Sequence, residues 1–246
     1  MQFGIIGFGR FGKLWAQALL PFGEVLVYDT HLPTQLDNTQ LKISTLAEVT
    51  QADIVFLLVP ISEFARGCEQ IKPLLNPKSL LVDCCSVKVY PLTIMQQVFS
   101  KQQAFIGTHP LFGPDSVKRT GGLAGHKIVL CPVPGTELQV KLLEDLFMQM
   151  GLQTFITTAE QHDKDMANSQ GLVHFIGRGL AALDLQPQSI ATPDFQALLN
   201  INNMVVNDTW RLFLDMHQYN AYTKNIRKKF IHQLTKLEQA IEDAKP

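Results

Sequence analysis

His109 is followed directly by Pro110 in the run Gly107-Thr108-His109-Pro110-Leu111-Phe112-Gly113-Pro114-Asp115-Ser116. The proline fixes the chain, and an imidazole held rigidly where an apolar run ends is suited to exchanging a proton near neutral pH. Taken alone, the residue also suits an ordinary packed core histidine. A second segment, Val82-Asp83-Cys84-Cys85-Ser86-Val87-Lys88, gathers a carboxylate, a hydroxyl and an ammonium in a short stretch. A third, Gly7-Phe8-Gly9-Arg10-Phe11-Gly12, is a GxGxxG pattern. Its glycines permit a tight turn, close approach of backbone to a pyrophosphate and close helix–strand packing, with the phosphates at a helix N-terminus. Asp29 closes the second apolar run seventeen residues beyond Gly12. A carboxylate there accepts hydrogen bonds from a ribose 2′-hydroxyl and repels a 2′-phosphate. Gly7, Gly9, Arg10, Phe11, Gly12, Asp29 and Pro60 are the expected contacts of a nicotinamide dinucleotide. Asp29 favours NAD; NADP stays open, because Arg10 or His31 can neutralise a phosphate.

The elements that must position these groups follow from the hydrophobic pattern. Strand-like runs are Phe3–Ile6, Glu24–Tyr28, Ile54–Val59, Leu80–Val82, Ala104–Gly107, Lys127–Cys131 and Gln153–Ile156, separated by helical stretches such as Phe11–Leu20 and Glu137–Met150. Runs apolar on both faces, alternating with helices, predict a parallel sheet covered on both sides. Ligands bind beyond the carboxyl ends of such strands, which is where the His109 and Ser86 segments fall. The expected fold is therefore α/β, with a Rossmann dinucleotide-binding domain over 1–157. From Thr158 onward strand patterns give way to long helical ones, Glu160–Leu185, Pro193–Tyr222 and Lys224–Ala244, predicting an all-helical domain over 158–246. So short a helical segment makes a thin core by itself, and a homodimer through this domain is expected.

Composition narrows the setting. Twenty-one Lys and Arg against twenty-two Asp and Glu leave a formal charge of -1, which gives no electrostatic reason to expect nucleic acid or an anionic membrane as partner. No apolar run approaches the roughly 20 residues of a membrane helix. The start, Met1-Gln2-Phe3-Gly4-Ile5-Ile6, reads as a strand and not as an export signal. Four cysteines, Cys68, Cys84, Cys85 and Cys131, are too few for a disulfide framework and offer no metal spacing. A cytoplasmic protein in a reducing compartment is expected.

Four ordered motifs together resemble the prephenate and arogenate dehydrogenases of tyrosine synthesis. Three are the Gly7–Gly12, Asp83…Ser86-Val87-Lys88 and His109–Pro114 segments. The fourth is Gln161-His162-Asp163-Lys164…Ser169-Gln170…His174-Phe175-Ile176-Gly177-Arg178. The resemblance is closest to the plant-type arogenate dehydrogenases and spans nearly the whole chain, including Tyr219-Asn220. It implies NAD(P)-linked oxidative decarboxylation of a cyclohexadienol, with His109 accepting the ring hydroxyl proton and Ser86 bonding the hydroxyl or the imidazole. Lys88 then orients the loop or is a plain surface lysine. Substrate contacts are implied for His174, Gln170, Arg178 and Arg211, with Ser169 beside them. His162 and Asp163 read chiefly as the polar start of a helix. His174, twelve residues past His162, is expected about 120° round that helix.

Two departures bear on specificity. Arg211 fits the bacterial register of the arginine that clamps the substrate side-chain carboxylate, but the plant-type register puts Asn207 there; Arg178 is the other candidate. Tyr28-Asp29-Thr30 stands where plant-type members carry Ser-Arg and prefer NADP, a second ground for NAD. The chain ends near the end of the family's helical domain, so no regulatory or mutase module is expected, and inhibition by tyrosine would act at the active site. Two other readings are weighed: another hydroxy- or imino-acid oxidoreductase on the same scaffold, which needs no Ser86 and His109 together, and a silent NAD-binding sensor, which needs no base.

Overall fold

Alternating apolar runs and amphipathic stretches resolve into a single sheet followed by helices, in a computed structural model that describes residues 1–32, 38, 40–99 and 103–244. The sheet-forming half runs β1 (Gln2–Ile6), α1 (Arg10–Leu19), β2 (Glu24–Tyr28), β3 (Leu41–Ile43), α2 (Leu46–Val49), β4 (Ile54–Leu57) and α3 (Phe64–Ile71). It continues with β5 (Leu80–Asp83), α4 (Val89–Val98), β6 (Phe105–Pro110), α5 (Pro114–Thr120), β7 (Lys127–Cys131), α6 (Glu137–Gln149) and β8 (Gln153–Ile156). The helices α7 (Ala159–Met166), α8 (Leu172–Ala182), α9 (Pro193–Val206), α10 (Trp210–Gln218) and α11 (Thr223–Asp243) follow. The chain forms two compact units, Met1–His162 and Asp163–Pro246, the division falling inside α7.

In the first unit the eight strands stand in the order β3-β2-β1-β4-β5-β6-β7-β8. All pairs are parallel except β6 with β7, where His109 faces Val129 across an antiparallel ladder. This corrects the expectation of a wholly parallel sheet. A parallel return to β7 needs a crossover as long as the strand, about 17–20 Å. The only helix between β6 and β7 has 7 residues, about 10 Å at 1.5 Å per residue. The chain therefore turns back directly. The short β3 and α2 escape the periodicity because three or four residues are too few to display one; α2 is fixed instead by a capping box in which Thr45 and Glu48 bond each other's backbone N–H.

The core of this unit is centred on Trp15, fully buried on the inner face of α1. Its ring lies 5.7 Å from Phe56 on β4, 5.7 Å from Phe147 on α6 and 6.3 Å from Phe112 just after β6. Aromatic packing of this kind ties the helix that follows the glycine loop to the loop that follows His109.

Among the described residues the regular elements of the second unit are all helices. The expected continuous helix over 160–185 is interrupted by a π turn at Ala167–Gly171. A π turn places an extra residue in the helix, so the expected 120° spacing of His162 and His174 does not hold across it. The expected helix over 193–222 is broken where Thr209 caps α10, its hydroxyl accepting from the Leu212 N–H at 3.1 Å. Helix α9 packs closely on α8: a Cβ on Gly177 would lie 2.5 Å from the Val205 side chain.

Candidate active site

β1 and β4 are neighbours, and the connections leaving them go to opposite sides of the sheet order, which makes their carboxyl ends the switch point where α/β sheets bind dinucleotides. Gly7 leaves β1 with φ +102°, a conformation open to glycine, and a Cβ there would sit 2.4 Å from the Leu58 carbonyl oxygen. A Cβ on Gly12 would sit 2.1 Å from the Gly7 carbonyl oxygen, so α1 can approach the strand only as glycine. Gly9, by contrast, faces open space, with nothing within 4 Å of a built Cβ. It is the N-cap of α1 and supplies no capping side chain, which leaves first-turn N–H groups and the positive end of the helix dipole to an external anion. Phosphate groups fit that cradle.

Asp29 lies just past β2 with its side chain 25% exposed. Its carboxylate accepts from the Phe8 N–H at 2.6 Å and from the His31 N–H at 3.0 Å. The residue expected to read the ribose therefore also shapes the glycine loop. Phe11 is half-buried beside Trp15. Exposed Arg10 pairs with Asp115 at 2.7 Å, and exposed Pro60 follows β4 at the same switch point.

β4, β5 and β6 continue the parallel array from β1, so their carboxyl ends share one edge. At strand spacings of about 4.8 Å, β6 lies roughly 14 Å along that edge from β1. His109, the fifth residue of β6, is 2% exposed. Its Nδ1 lies 2.8 Å from Nε2 of His162, with the rings edge-on. Burial, then the nearby His162 and Lys88, hold the His109 pKa well below the ordinary 6.5. The imidazole is neutral at physiological pH and available as a base.

Lys88 is not a surface lysine: its side chain is fully buried, donating to the Asp83 carboxylate and to the Thr108 carbonyl. Burial works against its charge, but the Asp83 carboxylate, together with Cys85 and Cys131, holds the Lys88 pKa above the ordinary lysine value. Asp83 also accepts from the Cys85 N–H at 2.7 Å, and the Thr108 hydroxyl donates to the Asp83 carbonyl at 2.7 Å. This buried strut joins the end of β5 to the residue before His109. Half-buried Ser86 sits on the loop it anchors. Among the described residues the His109 imidazole is bonded to His162 and not to Ser86, so of the two bonds expected of Ser86 only the one to a substrate hydroxyl stays open, and His162, read from sequence as the polar start of a helix, is the partner of the imidazole. Burial pushes the Cys84 thiol up to about 12, which keeps it protonated beside the site.

In the helical unit, His174 and Arg178 lie one turn apart on α8. His174 Nε2 is 3.8 Å from a carboxylate oxygen of Asp208, and its Nδ1 is buried without a partner. Burial lowers its pKa, against the pull of Asp208. Arg178 donates to the Asp208 carbonyl and lies 5.5 Å over the Trp210 ring, with Nε unpartnered. His217 accepts at Nδ1 from Arg227 at 2.8 Å, and burial, then Arg227, push it down to about 4. Gln170 is half-buried in the π turn, whereas Arg211 and Asn207 are exposed. The structure thus gathers His174 and Arg178 around Asp208 and leaves Arg211 at the surface of its unit.

A family model described as prephenate dehydrogenase, nucleotide-binding domain, matches residues 32–155. A second, TYRAAT1-like, C-terminal domain, matches 179–245. The chain is 28% identical to arogenate dehydrogenase 1, chloroplastic, of Arabidopsis thaliana, over 89% of this chain and 36% of that protein. It is 27% identical to a probable arogenate/prephenate dehydrogenase of Methanocaldococcus jannaschii, over 78% of this chain and 44% of that one. The chain thus spans less than half the length of these two relatives. Among solved structures, prephenate dehydrogenase from A. aeolicus in complex with hydroxyphenyl propionate and NAD+ has the same fold, with a TM-score of 0.77 at 19% identity, covering 98% of this chain and 90% of that one.

Proposed function

Since the chain belongs to the prephenate dehydrogenase family, we propose that it carries out NAD(P)-linked oxidative decarboxylation of a cyclohexadienol. The substrate is prephenate, giving 4-hydroxyphenylpyruvate, or arogenate, giving tyrosine. The observation that carries this reading is His109, a buried neutral imidazole at the strand edge that also bears the glycine loop. A bound nicotinamide supplies the hydride acceptor. His109 accepts the ring hydroxyl proton at Nε2 as the carbinol carbon loses hydride. The dienone so formed is a vinylogous β-keto acid, and loss of CO2 from the opposite ring carbon leaves an aromatic ring. Ser86 bonds the reacting hydroxyl, and the Asp83–Lys88 strut holds both segments in place.

Gly7, Gly9, Arg10, Phe11, Gly12, Asp29 and Pro60 hold the dinucleotide, with Asp29 favouring NAD over NADP. For the substrate carboxylates, Arg178 and His174 are better supported than Arg211, because they are half-buried and converge with Asp208, while Gln170 lies near them in sequence. Ile231, Leu234, Leu237 and Ile241 form an exposed apolar stripe on α11, which supports a homodimer through the helical unit. Among the described residues no helix is long and apolar enough to cross a membrane. Four free cysteines support a reducing, cytoplasmic setting.

The test is steady-state formation of reduced dinucleotide and CO2 from prephenate and from arogenate, with NAD and with NADP. His109→Asn is expected to lower kcat by about 10²–10⁴ with NAD affinity intact, the range for a positioned base. Because the imidazole pKa is depressed, kcat/KM should hold as pH falls through 6.5 and fail only below it. Unchanged turnover in the variant, or product from neither substrate, refutes the assignment.

A further inference from the structure

The hydrogen between the two imidazoles decides whether His109 can act at all, a question that rests on the reading of His109 as the base. Nδ1 of His109 and Nε2 of His162 are 2.8 Å apart, so one hydrogen lies between the two ring nitrogens. If His109 donates it, Nε2 of His109 keeps a free lone pair, the atom a base requires. If His162 donates it, the His109 hydrogen sits on Nε2 and the ring has nowhere to accept the substrate's proton.

Both rings are 2% exposed, so bulk water does not compete for the bond. Their planes meet at 73°, which makes the shared edge the contact and not a stacked face. Each ring is held by its own element: His109 by the ladder to Val129, and His162 by α7, where its backbone N–H donates to the Thr158 carbonyl at 2.9 Å. The ammonium of Lys88, paired with Asp83, lies near the same imidazole and opposes a second positive charge there. Asp163 adjoins His162 in the chain. We propose that His162 is a positioning residue: by accepting from Nδ1–H of His109 it holds the tautomer whose Nε2 is open to the substrate hydroxyl. Once that proton arrives, the same contact becomes a charge-assisted hydrogen bond, which is stronger than a neutral one. In Ser–His–Asp hydrolases, inverting the tautomer of the base without moving it costs about 10⁴ in kcat.

Two substitutions separate this role from a packing role. His162→Gln can present a carbonyl oxygen near the position of Nε2, whereas His162→Leu fills space and offers no acceptor. The measurement is heteronuclear NMR of the His109 ring nitrogens in the NAD-bound protein, alongside kcat, KM and NAD affinity. Expected are Nδ1-protonated His109 in wild type and His162→Gln, and Nε2-protonated His109 in His162→Leu. With it, kcat should fall about a hundredfold or more in His162→Leu, while His162→Gln stays within about tenfold of wild type. NAD affinity should be unchanged in both. An Nε2-protonated His109 in active wild type, a fully active His162→Leu, or equal losses in both variants with weakened NAD binding overturns the proposal. Ring spectra that follow the expected pattern in a protein turning over neither cyclohexadienol uphold the tautomer assignment and refute the function instead.

Discussion

The sheet-bearing unit and the helical unit satisfy their interiors differently. The largest fully buried side chains, Trp15, Phe3, Phe56, Phe64, Lys88 and Phe147 foremost, all belong to Met1–His162. Among the described residues, four of the five buried side-chain atoms without a hydrogen-bond partner belong to Asp163–Pro246: His174 Nδ1, Arg178 Nε, Asn202 Oδ1 and His217 Nε2. Each buried polar group left unpaired costs about 1–3 kcal/mol. The first unit is thus finished by its own side chains, even to a buried ion pair beneath the base. The second keeps polar atoms and an apolar stripe that gain from binding something else. The contrast teaches a division between a closed first unit and a second unit with polar and apolar groups left to satisfy, which is the division the proposed binding of substrate carboxylates and of a second copy would use.

The strongest blow to that contrast would fall on the buried strut. Lys88→Met leaves the Asp83 carboxylate buried without its cation, and loss of one partner of such a pair costs about 3–5 kcal/mol. Urea unfolding should register that loss together with a fall in kcat; a variant as stable as wild type would mean that the strut does not make the first unit rigid. Next in size, Leu237→Glu places a carboxylate on the α11 stripe. Burying a leucine side chain is worth about 1.5–3 kcal/mol. Light scattering should show the wild type as a dimer and the variant shifted to monomer; a monomeric wild type removes the stripe's proposed role. The smallest effect is expected at Asp29. Asp29→Ser removes the charge that repels a 2′-phosphate and should move the NADP-to-NAD ratio of kcat/KM by about tenfold, some 1.4 kcal/mol. No movement would mean that another group reads the ribose.

What could be read from sequence was what depends on near neighbours. The glycine loop, Asp29 and the His109-Pro110 step are local, since each is dictated by backbone geometry within a few residues, and each lies at a strand end as expected. The partnership of His109 with His162 joins residues 53 apart in sequence. Nothing in the polar pattern of Gln161-His162-Asp163-Lys164 distinguishes a buried imidazole from a helix start. Whether Lys88 orients the loop or lies at the surface is not legible for the same reason: its carboxylate partner is close in sequence, but its burial is set by β6. The reversal of β7 was hidden in the length of α5, a feature legible only after the helix bounds are known. The π turn leaves no trace in hydrophobic spacing, because one extra residue within a wide apolar stripe still falls on it.

If Asp29 selects the dinucleotide as proposed, the hydrogen bond from the Phe8 backbone to Asp29 makes cofactor choice and loop shape one property rather than two. Retuning that proposed preference toward the phosphorylated dinucleotide is therefore not a matter of erasing a charge, because erasure also unmoors the turn after β1. A redesign that swaps in asparagine, keeping a carbonyl oxygen for the Phe8 amide while shedding the negative charge, respects both duties.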